Sequence, residues 1–136
     1  IEGKMGVHSA VLGYSKGGAY GENDQNKGRS MDIRPSDDMA QKRQSHPLIR
    51  AHPETGRLGV FGTIGAYVIG IEGLDEGEAL GVLGELSAWQ TRDEFVYRHK
   101  WQPGMLVMWD NRSVLHKATG GYDGHARLLH RTTIAA

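Results

Sequence analysis

Three side chains late in the chain, His116, Arg127 and Arg131, have types and spacing that suit chemistry. Alternate side chains of a strand share a face. Val114, His116 and Ala118 would therefore share one face of a strand, and Arg127, Leu129, Arg131 and Thr133 one face of a later strand. The two guanidiniums of that later strand would stand about 13 Å apart. Guanidinium forks match carboxylates and related anions bidentately. A neutral imidazole is a good transition-metal ligand. If these faces point inward, they describe a site for a metal ion and one or two anions. The residues alone leave a second possibility open: a hydrogen-bonded histidine, and a solvated edge strand with outward arginines.

Several elements must position these groups. Phe95, Tyr97, His99 and Trp101 alternate as in a strand, and Pro103-Gly104 turns the chain. Residues 105–109 form an apolar strand, Asp110-Asn111-Arg112 a turn, and 114–118 the strand that bears His116. A glycine-rich loop over 120–124 leads to a closing strand over 127–134. Upstream, 47–52 and 58–61 read as two strands joined by a turn at Pro53 and Gly56. Residues 63–73 fit either a strand or a buried loop. Asp75 is placed as an N-cap with Glu78 as its capping-box partner. Ala79, Val82, Leu83, Leu86 and Trp89 follow at helical spacing, predicting a helix over 76–89 with one apolar face. Gly77, Gly81 and Gly84 each cost that helix about 1 kcal/mol relative to Ala, so packing must compensate. Residues 5–15 suit a strand or short buried segment. Residues 16–45 are polar and read as a long mobile loop.

Composition narrows the function classes. A length of 136 residues suits one domain. Sixteen acidic and sixteen basic residues balance, which argues against a nucleic-acid or membrane-surface role. No apolar run approaches the roughly 20 residues of a membrane span, and no secretory signal is visible. The chain has no cysteine, so any metal must take His, Asp, Glu or backbone ligands. Absence of cysteine fits the cytoplasm, the expected location. Twenty glycines scattered between short apolar runs suggest the many turns of a mainly β domain. The opening Ile1-Glu2-Gly3-Lys4 lacks an initiator methionine, so the chain is expected to begin within a longer polypeptide.

The stretch Trp101-Gln102-Pro103-Gly104-Met105-Leu106-Val107-Met108-Trp109-Asp110-Asn111-Arg112-Ser113-Val114-Leu115-His116 resembles the C-terminal signature of the taurine/2,4-dichlorophenoxyacetate dioxygenase family. Tyr122-Asp123-Gly124, followed by Arg127 and Arg131, continues the likeness. His46-Pro47-Leu48-Ile49-Arg50-Ala51-His52-Pro53-Glu54-Thr55-Gly56-Arg57 resembles the same family upstream, and Val7-His8-Ser9-Ala10 does so more weakly. The resemblance implies a partial double-stranded β-helix (jelly roll), mainly β with one or two helices, in which 1–136 is the C-terminal part of one domain. It implies Fe(II) held by two histidines and a carboxylate, with 2-oxoglutarate as cosubstrate and dioxygen as oxidant. His116 matches the distal metal histidine, Arg127 the arginine on the far carboxylate of 2-oxoglutarate, and Arg131 an arginine on the anionic group of the substrate. Tyr67 falls near a position lining the substrate pocket. The implied substrate is a small anionic sulfonate, sulfate ester or carboxylate.

The sequence departs from the pattern in one respect: the family's His-x-Asp ligand pair is not found. His52-Pro53-Glu54 is the nearest substitute, but it sits in a Pro/Gly turn. The chain alone is therefore expected to be inactive, with one ligand of three. Five or six strands where a jelly roll needs about eight leave edges and apolar faces that favour a homo-oligomer. Two other readings stand beside the enzyme: a binding or assembly module that keeps the fold without metal, and a cupin-like isomerase or hydrolase with a different metal.

Overall fold

The computed structural model describes residues 1–22, 34–119, 121 and 124–134. Strand β1 (Met5–His8) lies at the centre of a three-stranded antiparallel sheet. Its neighbours are β2 (Gln44–Pro47) and, further along the chain, the strand Val68–Ile71. Between them runs a hairpin of β3 (Ile49–Ala51) and β4 (Leu58–Val60), with Ile49 opposite Val60, so that Val68–Ile71 is β5. On β1, Gly6 faces His46 on one side and Ile71 on the other. A Cβ at Gly6 would lie 2.7 Å from Leu48 Cδ2 and 3.1 Å from Val68 Cγ1. The missing side chain lets the central strand settle directly onto the core.

That core consists of Leu48, Ile64, Val68, Ile71, Ala79 and Leu83, all buried, with Val60, Leu74, Val82 and Leu86 packed at its margin. It joins the sheet to helix α3 (Glu76–Gln90), which packs on β5. The helix starts as its sequence predicts. Asp75 Oδ1 accepts from the Glu78 amide at 2.9 Å, and Glu78 Oε2 accepts from the Asp75 amide at 3.2 Å. Replacing Asp75 by Ala removes this cap and should lower stability by about 1 kcal/mol, read as a shift of the urea midpoint with unchanged slope. The apolar face departs from expectation at its far end. Trp89 is more than half exposed and packs on Phe95 at 5.9 Å, with the Arg92 guanidinium 4.5 Å above its ring.

Two single helical turns, α1 (Val11–Tyr14) and α2 (Asp37–Ala40), pack together. Ser9 Oγ donates to the Ala40 carbonyl at 2.7 Å, and the Lys16 amide donates to Asp37 Oδ1 at 2.8 Å. These contacts lie within and beside the loop expected over 16–45, whose described part also contains the start of β2. Residues 23–33 of that loop lie outside the described residues.

The antiparallel sheets with few helices agree with a mainly β reading. The strands expected over 95–101, 105–109, 114–118 and 127–134 are a correction: among the described residues none forms. Residues 93–95 instead make a 3-10 turn. The reason is physical. Alternation selects a side-chain pattern, but a strand exists only when a neighbour accepts and donates its backbone hydrogen bonds, and these segments find no ladder partner among the described residues. Their apolar side chains accordingly stay in solvent, with Leu106 91 % and Met108 82 % exposed. No described helix is long and apolar enough to cross a membrane.

Candidate functional site

The turn between β3 and β4 is built around His52. Its amide donates to the Arg57 carbonyl at 2.9 Å, and its carbonyl accepts from the Gly56 amide at 2.8 Å. Gly56 has φ +69°, a left-handed conformation that glycine adopts without strain. The His52 ring closes the turn from inside. Nδ1 accepts from the backbone amides of Glu54 and Thr55, both at 3.3 Å. An Nδ1 that accepts carries no proton, which assigns the proton to Nε2. Nε2 then donates to Asp110 Oδ2 at 3.0 Å.

Asp110 opens a second turn, 58 residues away in sequence. Its backbone carbonyl accepts from the amides of Ser113 and Val114, each at 3.1 Å. Its carboxylate is gripped by Arg112: Nε reaches Oδ1 at 2.9 Å, Nη2 reaches Oδ2 at 2.7 Å, and the Arg112 amide reaches Oδ1 at 2.8 Å. Arg112 Nη2 also donates to Glu54 Oε1 at 3.1 Å, back on the first turn. The Arg112 guanidinium first, and the His52 donor second, hold the Asp110 carboxyl far below the usual carboxylate range. Asp110 and Glu54 in turn push the Arg112 guanidinium up. The four side chains thus link the two turns through the His52–Asp110 hydrogen bond and the ion pairs of Arg112 with Asp110 and Glu54.

Just before this turn, Trp109 Nε1 donates to Asn111 Oδ1 at 2.8 Å. Just after it, His116 lies with its ring centroid 5.1 Å from that of Trp109. His116 is exposed and makes no hydrogen bond among the described residues, so its imidazole nitrogens are open to a metal. Arg127 and Arg131 are exposed as well. The strand that would align those two arginines on one face is not formed among the described residues. Within that described set, no group of three His, Asp or Glu side chains comes together that could hold a metal ion. His116 therefore fits iron as a single ligand. The His52-Pro53-Glu54 substitute does not, because both ring nitrogens of His52 and the Glu54 carboxylate are already engaged in the turn.

Other candidate groups lie elsewhere. His8 and His46 face each other across β1 and β2 with ring centroids 4.9 Å apart, edge to face, and Phe61 packs on both. Burial first, and His46 second, push the His8 imidazole below its ordinary range, so His8 is neutral at pH 7. Tyr67 stacks on Tyr14 at 6.4 Å. A hydrogen bond with Tyr14, then burial, push its phenol up to about 12. The link from His52 to Asp110 was not visible in the sequence. Each residue reads there as an ordinary turn residue, and single-sequence patterns carry no information about contacts 58 residues apart. The motif likeness of both segments to one family was the only available hint.

Known proteins give this geometry its context. The profile of the "Taurine catabolism dioxygenase TauD, TfdA family" matches residues 9–133. The chain is 49 % identical over 88 residues to an alpha-ketoglutarate-dependent 2,4-dichlorophenoxyacetate dioxygenase of Cupriavidus pinatubonensis, covering 64 % of this chain and 30 % of that protein. It is 37 % identical over 89 residues to an (S)-phenoxypropionate/alpha-ketoglutarate-dioxygenase of Sphingobium herbicidovorans, covering 65 % and 30 %. An alkylsulfatase of Acinetobacter baylyi is 33 % identical over 90 residues, covering 66 % and 28 %. The chain thus spans under a third of the length of these curated relatives. With a match that runs through both turns and on past His116, Arg127 and Arg131, the chain belongs to the TauD/TfdA dioxygenase family.

Proposed function

We propose that this chain forms the distal-histidine and cosubstrate-arginine part of an Fe(II)- and 2-oxoglutarate-dependent oxygenase acting on a small organic anion. The observation that carries this reading is the family match over 9–133; the roles of His116, Arg127 and Arg131 follow from the sequence resemblance. Relatives named for 2,4-dichlorophenoxyacetate, phenoxypropionate and alkyl sulfate chemistry support the substrate class. The remaining ligands, a His-x-Asp pair, come from polypeptide outside these 136 residues, and the complete domain is a jelly roll.

Each residue has a defined task. His116 supplies one neutral imidazole to the metal. Arg127 pairs its planar fork with the far carboxylate of 2-oxoglutarate and so fixes the pose of the cosubstrate. Arg131 grips the anionic group of the substrate and brings a C–H bond to the reacting centre. Bound iron supplies the place where dioxygen and the keto acid react, with release of succinate and carbon dioxide.

The test is succinate release by the iron-binding polypeptide, given 2-oxoglutarate and a panel of phenoxyacetates, phenoxypropionates, alkyl sulfonates and alkyl sulfates. At least one anion should stimulate release. If none does, the oxygenase reading fails. In the same assay, Arg131→Ala should raise the KM for the anion by about 10- to 100-fold with kcat within a few-fold, the signature of lost uniform binding. A second reading, an assembly module that keeps the fold without iron, draws on the lack of a three-ligand group among the described residues. Stoichiometric iron in the natural polypeptide would remove it.

A further inference from the structure

The residues His52, Glu54, Asp110 and Arg112 are not among the groups assigned to iron, cosubstrate or substrate, yet their side chains are densely bonded to one another. Asp110 alone accepts from one His52 nitrogen, from the Arg112 side chain and from the Arg112 amide. A carboxylate held by this many donors has one orientation. The turn it belongs to is therefore fixed relative to the β3–β4 hairpin, itself joined to the core through Leu48 and Val60. His116 stands two residues beyond Val114, whose amide closes that turn, and its ring lies against Trp109, the residue immediately before Asp110. The path from hairpin to metal ligand is thus His52, Asp110, turn, Trp109, His116.

We propose that His52, Glu54, Asp110 and Arg112 form a positioning clasp that sets the place and direction of the His116 imidazole before metal binds. The proposal rests on the reading of His116 as an iron ligand. Metal affinity requires ligands held in place in advance, and loss of the groups that hold them typically weakens binding by about 10- to 100-fold. Here the holding group is one step removed. It acts on the backbone turn and on Trp109 rather than on the imidazole nitrogen. The residual cost of ligand disorder should therefore appear in metal affinity, not in cosubstrate affinity once metal is saturating.

The experiment uses the iron-binding polypeptide, with Mn(II) as probe, and follows free Mn(II) by electron paramagnetic resonance. His116→Ala sets the scale of complete ligand loss. His52→Ala and Asp110→Asn should each weaken Mn(II) binding by roughly 10-fold, with 2-oxoglutarate affinity at saturating metal unchanged within two-fold. His52→Gln, which keeps an N–H donor toward Asp110, should restore most of the affinity. A lowered unfolding midpoint without a change in metal affinity would make the clasp merely structural and overturn the proposal. So would equal loss in His52→Ala and His52→Gln. Should His116→Ala leave Mn(II) affinity intact, the ligand assignment itself fails. Loss in His116→Ala without loss in His52→Ala and Asp110→Asn sinks only the clasp. If a variant fails to fold, Arg112→Lys provides the second route. It keeps the charge on Asp110 but loses the fork that also reaches Glu54, and should give a smaller loss of the same kind. Mn(II) affinity equal to the parent's in a folded Arg112→Lys would count against the proposal.

Discussion

Replacing Arg127 by Ala should weaken 2-oxoglutarate binding by about 100-fold or more. On the proposed reading, the Arg127 guanidinium fork supplies both neutralisation and two aligned donors to the far carboxylate of the cosubstrate. Truncating one partner of such a charge pair costs about 2–5 kcal/mol, and each 1.4 kcal/mol is tenfold in affinity. Lysine at position 127 keeps the charge but offers a point rather than a fork, so Arg127→Lys should fall between the parent and Arg127→Ala. Calorimetric titration of the metal-loaded polypeptide with 2-oxoglutarate measures all three. Metal affinity should not move, because Arg127 is not placed among the ligands. Unchanged 2-oxoglutarate affinity in Arg127→Ala would remove the assignment, and with it the main support for an oxygenase of this class.

The elements legible in the sequence were those whose signal is local. The α3 start was readable because a capping box spans four consecutive residues, Asp75 to Glu78, and needs nothing from elsewhere. The β3–β4 hairpin was readable because Pro53 and Gly56 define its turn. Strand β2 was only partly readable. Its Gln44, Ser45 and His46 are polar or half-buried, and what makes them a strand is the register with β1, Val7 opposite Ser45. The C-terminal third shows the converse failure. The alternation of Phe95, Tyr97, His99 and Trp101 is real, yet a period of two predicts a strand only where a partner edge is present. Arg127 and Arg131 depend on such an edge to share a face, so their roles came from motif likeness rather than from the described geometry. The His52–Asp110 link lay beyond reach for a third reason: it is a tertiary contact between two turns, each locally complete.

Gly62 carries a large expected stability effect outside the aliphatic core. It has φ +99°, beyond the left-handed region that Asn or Asp tolerate. A Cβ there would lie 2.5 Å from His8 Cε1 and 2.8 Å from Val68 Cγ2. Val68 is fully buried, and His8 is wedged between His46 and Phe61, so neither neighbour has room to retreat. The Gly62 carbonyl also accepts from Gln90 Nε2 at 3.3 Å, which ties the end of α3 to this point. Gly62→Ala should thus combine backbone strain of about 1–2 kcal/mol with overpacking of about 1–3 kcal/mol, a total loss of about 2–5 kcal/mol. Gly56→Ala is the control. It also has positive φ, +69°, but a Cβ there meets nothing within 4 Å. It should cost only the backbone part, about 1 kcal/mol. Urea unfolding of both variants beside the parent separates the two contributions. Equal losses at the two glycines would mean that His8 and Val68 can yield, and that the packing of β1 against the 61–68 segment is looser than these distances require.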